Sequence, residues 1–171
     1  MKENKRPGLR IAELLRDPRN VRLLQLLMAN PRMSVSELAR RIKMSPPSAR
    51  ERVQRLEEAG IIKGYRLETD PAALGYPIAL FVRVRPMPGM LPNIVSLAQK
   101  LTQVTECYRI TGEDCFILKI HLDELANLDR ILDQFLALGQ TTTSLIQSVP
   151  VPPRTLPILA FSPAAVIAAT A

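Results

Sequence analysis

The tightest constraint on this chain is a pair of capped helical segments joined by a turn of very few residues. Ser34-Val-Ser-Glu37 has the form of a capping box, with Ser34 as cap and Glu37 reaching back to it. Val35, Leu38, Ala39 and Ile42 follow at i, i+3, i+4 and i+7, which predicts a helix that buries one stripe. Lys43-Met44 leaves room only for a tight turn. Ser45 then caps a second helix, with Pro46 at its first position. Ala49, Val53 and Leu56 form the inward face of that helix, and Gly60 is placed to end it. A further helix precedes the pair. It opens at Asp17-Pro18, carries Val21, Leu24, Leu27 and Met28 on one face, and ends at Asn30-Pro31. Residues 61–67 alternate and predict a strand. Three short helices at this spacing, with strand after them, predict a winged helix-turn-helix over residues 11–70.

Charge points the same way. Residues 1–66 hold 16 Lys and Arg against 7 Asp and Glu, a balance of +9, whereas residues 67–171 hold 7 against 9, a balance of −2. A basic first part on a near-neutral second part suggests a polyanion-binding module fused to another domain. In a helix-turn-helix the helix after the turn enters the major groove, its N-terminal residues nearest the bases. Ser45, Pro47, Ser48, Glu51, Arg52 and Arg55 lie away from the apolar stripe. Ser45 and Ser48 suit hydrogen bonds to bases or phosphates, and Arg52 and Arg55 suit guanine or phosphate. Arg40, Arg41 and Lys43 are placed to meet the DNA backbone, and Ser34 is a further expected DNA contact. Of these, Arg52 is the expected base reader and Lys43 the expected phosphate contact. Residues 1–10 read as a flexible basic arm.

The second half alternates strand and helix. Ile78, Leu80, Val82 and Val84 alternate with Ala79, Phe81, Arg83 and Arg85, a strand buried on one side. Ile94, Leu97, Ala98 and Leu101 make a helix stripe. Strands are expected at 104–110 and 116–121, and a second helix carries Leu125, Leu128, Leu132 and Phe135. The last strand is expected at 142–151. The order βαββαβ is ferredoxin-like, so the chain is α+β. Asp70-Pro-Ala-Ala-Leu-Gly75 reads as one helical turn at the boundary, giving a hinge at 71–77, a second domain at 78–157 and a flexible tail at 158–171. Two helices on one side of such a sheet leave its other face open, with Phe81 on it, and predict a two-fold homodimer.

Other classes fit poorly. Cys107, Cys115 and His121 do not make a zinc framework, and two half-buried, reduced thiols are expected. No window reaches the ~18 apolar residues of a membrane helix, and the charged N-terminus is unlike a secretory signal, so a cytoplasmic protein without membrane partners is expected. No catalytic constellation, metal site or cofactor motif is visible.

These residues also carry a resemblance. The run from Met33 to Ile42, then Met44-Ser-Pro46, then Arg52 to Tyr65, then Asp70 to Gly75, resembles the Lrp/AsnC or feast/famine transcriptional regulators over roughly residues 14–158. Val104 to Gly112 and the βαββαβ order extend the likeness. The resemblance implies a DNA-binding domain, a hinge strand, and an effector-binding RAM domain through which protomers form dimers and often tetramers or octamers. It implies small effectors, usually amino acids, bound near the turn between the second and third RAM strands. Here that turn is Thr111, Gly112, Glu113, Asp114 and Cys115. Cys115 stands where family members commonly carry aspartate, which leaves Asp114 as the carboxylate for an ammonium group. Thr141, Thr142 and Thr143 are expected to bring hydroxyls to the same pocket from a neighbouring subunit. Two other functions share the architecture: an architectural DNA-wrapping protein without effector, and a siroheme decarboxylase-like enzyme, for which a lone histidine is a poor endowment.

Overall fold

The computed structural model describes residues 7–159, with side chains from residue 11 onward. Within it the chain forms two compact units, residues 68–152 and the remainder on either side of them.

The first unit is helical. Helices α1 (Pro7–Arg16), α2 (Pro18–Ala29), α3 (Val35–Arg41) and α4 (Pro46–Glu58) follow in close succession. Residues 7–10, expected in a flexible arm, are thus the first turns of a helix. Residues 1–6 of that arm, and residues 160–171 of the expected tail, lie outside the described residues. The core joins Leu23, Leu24, Leu26 and Leu27 of α2 to Leu38, Ala39 and Ile42 around α3 and to Ala49 and Leu56 of α4.

The caps act as the spacing predicts, with one exception. Asp17 accepts from the Arg19 amide, and Ser45 from the Ser48 amide. Ser34 accepts from the Glu37 amide at 3.2 Å, but the Glu37 carboxylate does not return to the cap. It binds Arg40 Nη2 at 2.5 Å and Arg41 Nε at 2.6 Å instead. Two guanidinium groups, three and four residues on, attract a carboxylate more strongly than a neutral amide does.

Both ends of the α3–α4 pair close in the same way. After α3 the Met44 amide donates to Ala39 O at 2.9 Å and the Lys43 amide to Arg40 O at 3.3 Å. After α4 the Ile61 amide donates to Leu56 O and the Gly60 amide to Glu57 O. These are Schellman closures, which need a left-handed residue just past the helix. Gly60 fills that place with φ 71°, and Lys43 does so with φ 55°. A lysine there carries a strain of roughly 1 kcal/mol, accepted because the turn sets the angle between α3 and α4.

The strand expected at residues 61–67 does not form. No strand is present among residues 60–77. A strand requires a neighbouring edge to satisfy its amides and carbonyls, and no described segment pairs with this one. Asp70 to Tyr76 does make the expected turn, with the Tyr76 amide donating to Pro71 O at 2.8 Å.

The second unit is an antiparallel sheet with helices on one face. Strands β1 (Ile78–Pro86), β2 (Val104–Arg109), β3 (Phe116–Leu122) and β4 (Gly139–Leu145) lie in the order β2-β3-β1-β4. Helices α5 (Leu91–Lys100) and α6 (Leu128–Leu136) supply the crossovers, with a single 3₁₀ turn before α6. Leu80, Val82 and Val84 of β1 and Phe116, Leu118, Ile120 and Leu122 of β3 pack with Ile94, Ala98, Ile131 and Phe135 of the helices.

Strand β4 starts three residues before, and ends six residues before, the span that the sequence predicts. Its threonines belong to the pairing itself, Thr143 facing Val82 and Thr141 facing Val84. Gly139 makes the early start possible, since a Cβ there would lie 2.2 Å from the Arg85 carbonyl oxygen. The Pro150, Pro152 and Pro153 region, without amide donors at those residues, is unsuited to a ladder.

Residues 153–159 return to the first unit. Ile158, expected in a flexible tail, is half-buried against the α2–α4 core. Removing that contact by Ile158→Asp should destabilise the helical unit by about 1 kcal/mol, from the partial loss of one apolar side chain's burial. Hydrogen exchange in full-length protein should accelerate in α2–α4 and stay unchanged in β1–β3. Unchanged exchange in α2–α4 would show that the contact contributes nothing.

Candidate nucleic-acid interface and effector site

Helix α4 is the element on which the first site depends. Ala49 and Leu56 are fully buried, and Val53 packs beside them. The opposite side of its first turns presents Ser45, Pro47, Arg50, Glu51 and Gln54 to solvent, with Ser48 half-buried. Ser45 and Ser48 share a hydroxyl contact of 2.9 Å, so the two hydroxyls sit together at the helix start.

Arg52 is not on that exposed surface. Its Nη1 donates to Asp17 Oδ2 at 2.5 Å and to Asn20 Oδ1 at 2.7 Å. Asn20 is 3% exposed, and its Nδ2 donates to the Leu14 carbonyl at 2.9 Å. One guanidinium therefore ties α4 to the cap of α2, and through Asn20 to the last turns of α1. The expectation that Arg52 reads a base is corrected by this arrangement. At this position on α4 the side chain leans back toward α2, where a carboxylate and a buried amide oxygen need a donor. Helical spacing puts Arg52 outside the apolar stripe, and only the fold brings Asp17 and Asn20 to it there.

The remaining predicted residues are exposed, apart from the half-buried Ser48. Arg40 is held by Glu37, and Arg55 donates to Glu51 at 2.5 Å. These are surface pairs, worth at most about 1 kcal/mol each, and a phosphate can displace the carboxylate. Glu37 lies below its ordinary carboxylate value because Arg41 and then Arg40 donate to it. Lys43 and Ser34 are exposed beside the turn and at the start of α3. Arg50 and Gln54 were not among the expected contacts. Burial is the signal that separates Arg50 from Arg52, and only the fold supplies it.

The second site lies at the β2–β3 turn. Residues Thr111 to Cys115 close with the Ile110 amide donating to Cys115 O at 2.9 Å, and Gly112 adopts φ 112°. Two ion pairs join the turn to β1. Glu113 pairs with Arg85, and Asp114 Oδ2 stands 3.6 Å from Arg83 Nη1. Registration puts Thr142 beside Arg83 on the open face of the sheet, with Ile117 on the other side. Thr141 and Thr143 point to the opposite face, because successive strand residues alternate. Cys115 packs against the helix-covered core. Within one protomer these residues fall into two groups. Asp114, Glu113 and Thr142 gather with Arg83 and Arg85, while Thr141, Thr143 and the Cys115 thiol do not join them.

His121 lies opposite Ala79 with its Nδ1 buried and without a hydrogen-bond partner among the described residues. Burial pushes its pKa below the ordinary histidine value. Lys119 pushes it the same way, and Glu106 opposes both. Cys107 is more exposed than expected, yet partial burial still pushes its thiol pKa up. The described residues contain no cluster of metal-ligating side chains. No helix among them is long and apolar enough to cross a membrane.

A cationic helix-turn-helix joined to a ferredoxin-like domain defines a DNA-binding regulator with a separate sensory or assembly module. Residues 11–63 match the winged helix-turn-helix DNA-binding family, and residues 79–156 match the Lrp/AsnC ligand binding domain. The chain is 36% identical over 132 residues to the HTH-type transcriptional regulator LrpC of Bacillus subtilis, covering 77% of this chain and 92% of that one. It is 32% identical over 135 residues to the leucine-responsive regulatory protein of Escherichia coli, covering 77% and 79%. The solved structure of B. subtilis LrpC superposes with a TM-score of 0.71, over 77% of this chain and 94% of that one. A feast or famine regulatory protein from M. tuberculosis, complexed with L-methionine, superposes with a TM-score of 0.76 at 26% identity, over 83% and 99%. The chain belongs to the Lrp/AsnC family, and it is a sequence-specific DNA-binding transcriptional regulator.

The Arg52 clasp yields a stability prediction. Burial raises the Asp17 pKa, but the Arg52 and Arg19 hydrogen bonds and charges outweigh it and leave the group below its ordinary 3.8. A depressed carboxylate stabilises the fold above its unfolded pKa, and that contribution fades as pH falls through the folded value. The helical unit should therefore lose stability below about pH 4. Asp17→Asn should flatten that acid limb. Arg52→Ala should cost roughly 1–3 kcal/mol at neutral pH, because Asn20 Oδ1 is left without its donor. Hydrogen exchange of α2 and α4 against pH measures both effects. An unchanged acid limb in Asp17→Asn would contradict the clasp.

Proposed function

We propose that this regulator acts as a homodimer whose DNA affinity responds to an amino acid. The observation that carries the reading is the group of Arg83, Arg85, Glu113 and Asp114 around the Gly112 turn. A free amino acid carries one ammonium and one carboxylate, and this group offers both complements. Its Arg83–Asp114 pair is too long at 3.6 Å for a direct hydrogen bond, so each partner keeps capacity for a ligand. Thr142 adds a hydroxyl beside Arg83. The relative complexed with L-methionine and the relative named as leucine-responsive make those two amino acids the first to try.

On the DNA side, α4 enters the major groove with Ser45, Pro47 and Ser48 toward the bases. Ser34, Arg40, Lys43 and Arg55 meet the phosphates. The activity is recognition alone, without catalysis, and takes place in the cytoplasm. Two protomers join through the open faces of their sheets, where Phe81 is 37% exposed and Tyr108 is 53% exposed. Such pairing presents two copies of α4 to a pseudo-palindromic site, and further even assembly to tetramers or octamers extends it.

Thermal shift with each proteinogenic amino acid tests the sensor. At least one should raise the melting temperature of the wild type, and Asp114→Ala should lose that rise. Should no amino acid alter melting, DNA affinity or oligomer size, the sensor reading is wrong. Light scattering tests the assembly separately. The wild type should be a dimer or larger at micromolar concentration, and Phe81→Glu should shift it toward monomer. A monomeric wild type would refute the sheet-face interface.

A further inference from the structure

Helix α4 carries three arginines, and each has a different environment. Arg52 is committed to Asp17 and Asn20 within the fold. Arg55, in the last turns, is bonded to Glu51. Arg50 is exposed, with no hydrogen-bond or ion-pair partner among the described residues. It lies in the second turn, roughly 6–8 Å along the axis from the Ser45 cap. Pro47 at i−3 and Gln54 at i+4 share its stripe, and neither offers a carboxylate. The nearest acidic residue in sequence, Glu51, is turned about 100° away on the helix and is held by Arg55.

We propose that Arg50 is the specificity-determining side chain of this regulator, and that it pairs bidentately with a guanine in each half-site. The assignment rests on the DNA-reading function given above and adds which group does the reading. Its physical basis is availability. A guanidinium that reads guanine O6 and N7 must present two parallel donors to the groove. Arg52 has spent Nη1 on two acceptors inside the protein, and freeing it would leave Asn20 unsatisfied. Arg55 lies further from the helix start, where base edges are contacted less. Arg50 breaks no internal bond on meeting DNA and is within the first two turns. Gln54, one turn further along the stripe, donates through Nε2 to Glu58 at 3.0 Å. That bond turns its amide along the helix, and so leaves Arg50 as the long donor at the centre of the exposed stripe.

Selection of full-length protein on a randomised duplex library tests the proposal, with wild type, Arg50→Ala, Arg50→Lys and Arg52→Lys compared at several salt concentrations. The wild type should select a two-fold-related motif. Arg50→Ala should lose the preference for guanine at one symmetric position by roughly 5- to 150-fold, and keep the rest of the motif. Its melting temperature should match the wild type, since no internal contact is lost. Arg50→Lys should keep the wild-type salt slope but not the guanine preference, because an ammonium lacks the planar fork. Arg52→Lys should keep the selected bases and lower the melting temperature. An unchanged motif in Arg50→Ala would overturn the proposal while leaving DNA recognition intact. An equal loss on all sequences, restored by Arg50→Lys, would overturn it as well by making Arg50 a phosphate contact. A wild type that selects no motif would remove both the proposal and the specific-reading function beneath it.

Discussion

Arg52, Asp17 and Asn20 form the polar contact on which the helical unit's working surface depends. An apolar core sets which stripe of a helix is buried, but stripes of leucine and alanine tolerate rotation and sliding. A guanidinium held at once by a carboxylate and a buried amide does not, because hydrogen bonds are directional. Asn20 completes the constraint by donating to the Leu14 carbonyl, so each of its polar atoms is used. The orientation of α4 then follows. With Arg52 pinned inward, its neighbours on the far side of the wheel are presented outward, and the Ser45 and Ser48 hydroxyls meet at the exposed helix start.

The turn between α3 and α4 supplies the other half of that geometry. Its Schellman closure places Lys43 in a left-handed conformation, where glycine would be unstrained. Tolerating the strain keeps a cation beside the helix start, and so the turn serves both packing and charge. The positive charge of this half of the chain is not all equally available. Glu37 and Glu51 bind Arg40, Arg41 and Arg55 at the surface, and such pairs yield readily to phosphate. The half-buried pair of Arg52 yields less readily, because Asn20 would be left unsatisfied.

In the sheet domain, alternation does the sorting. Residues one apart on a strand face opposite sides, so three consecutive threonines do not share one face of the sheet. Only Thr142 shares a face with Arg83, and the Gly112 turn brings Asp114 and Glu113 to the same side. Close approach of β4 to β1 at Gly139 fixes that register, since any side chain there would strike the Arg85 carbonyl. The charged group at the turn and the open sheet face thus share one side, and the apolar core takes the other.

Much of this was legible in the residues themselves. Capping serines, proline at first helical positions, Gly60, the period of the apolar stripes and the βαββαβ order are local signals, each determined by a few neighbouring residues. They were sufficient for the α+β class, the helix-turn-helix and the location of α4. Apart from Glu37, which binds Arg40 and Arg41 nearby, and residues 7–10, which are helical, the misreadings concern partners distant in sequence. Arg52 lies 35 residues from Asp17, β4 is positioned by its register on β1, and Ile158 meets a core built by residues 14–62. Residues 61–67 have the alternation of a strand but pair with no other described segment. Sequence by itself determined which segments are helical, which side of each is apolar and which half is cationic, because those depend on local conformation and hydrophobicity. Tertiary structure alone decided which of three arginines turns inward and which threonine shares a face with the charged group, because both depend on directional contacts between segments that only folding brings together.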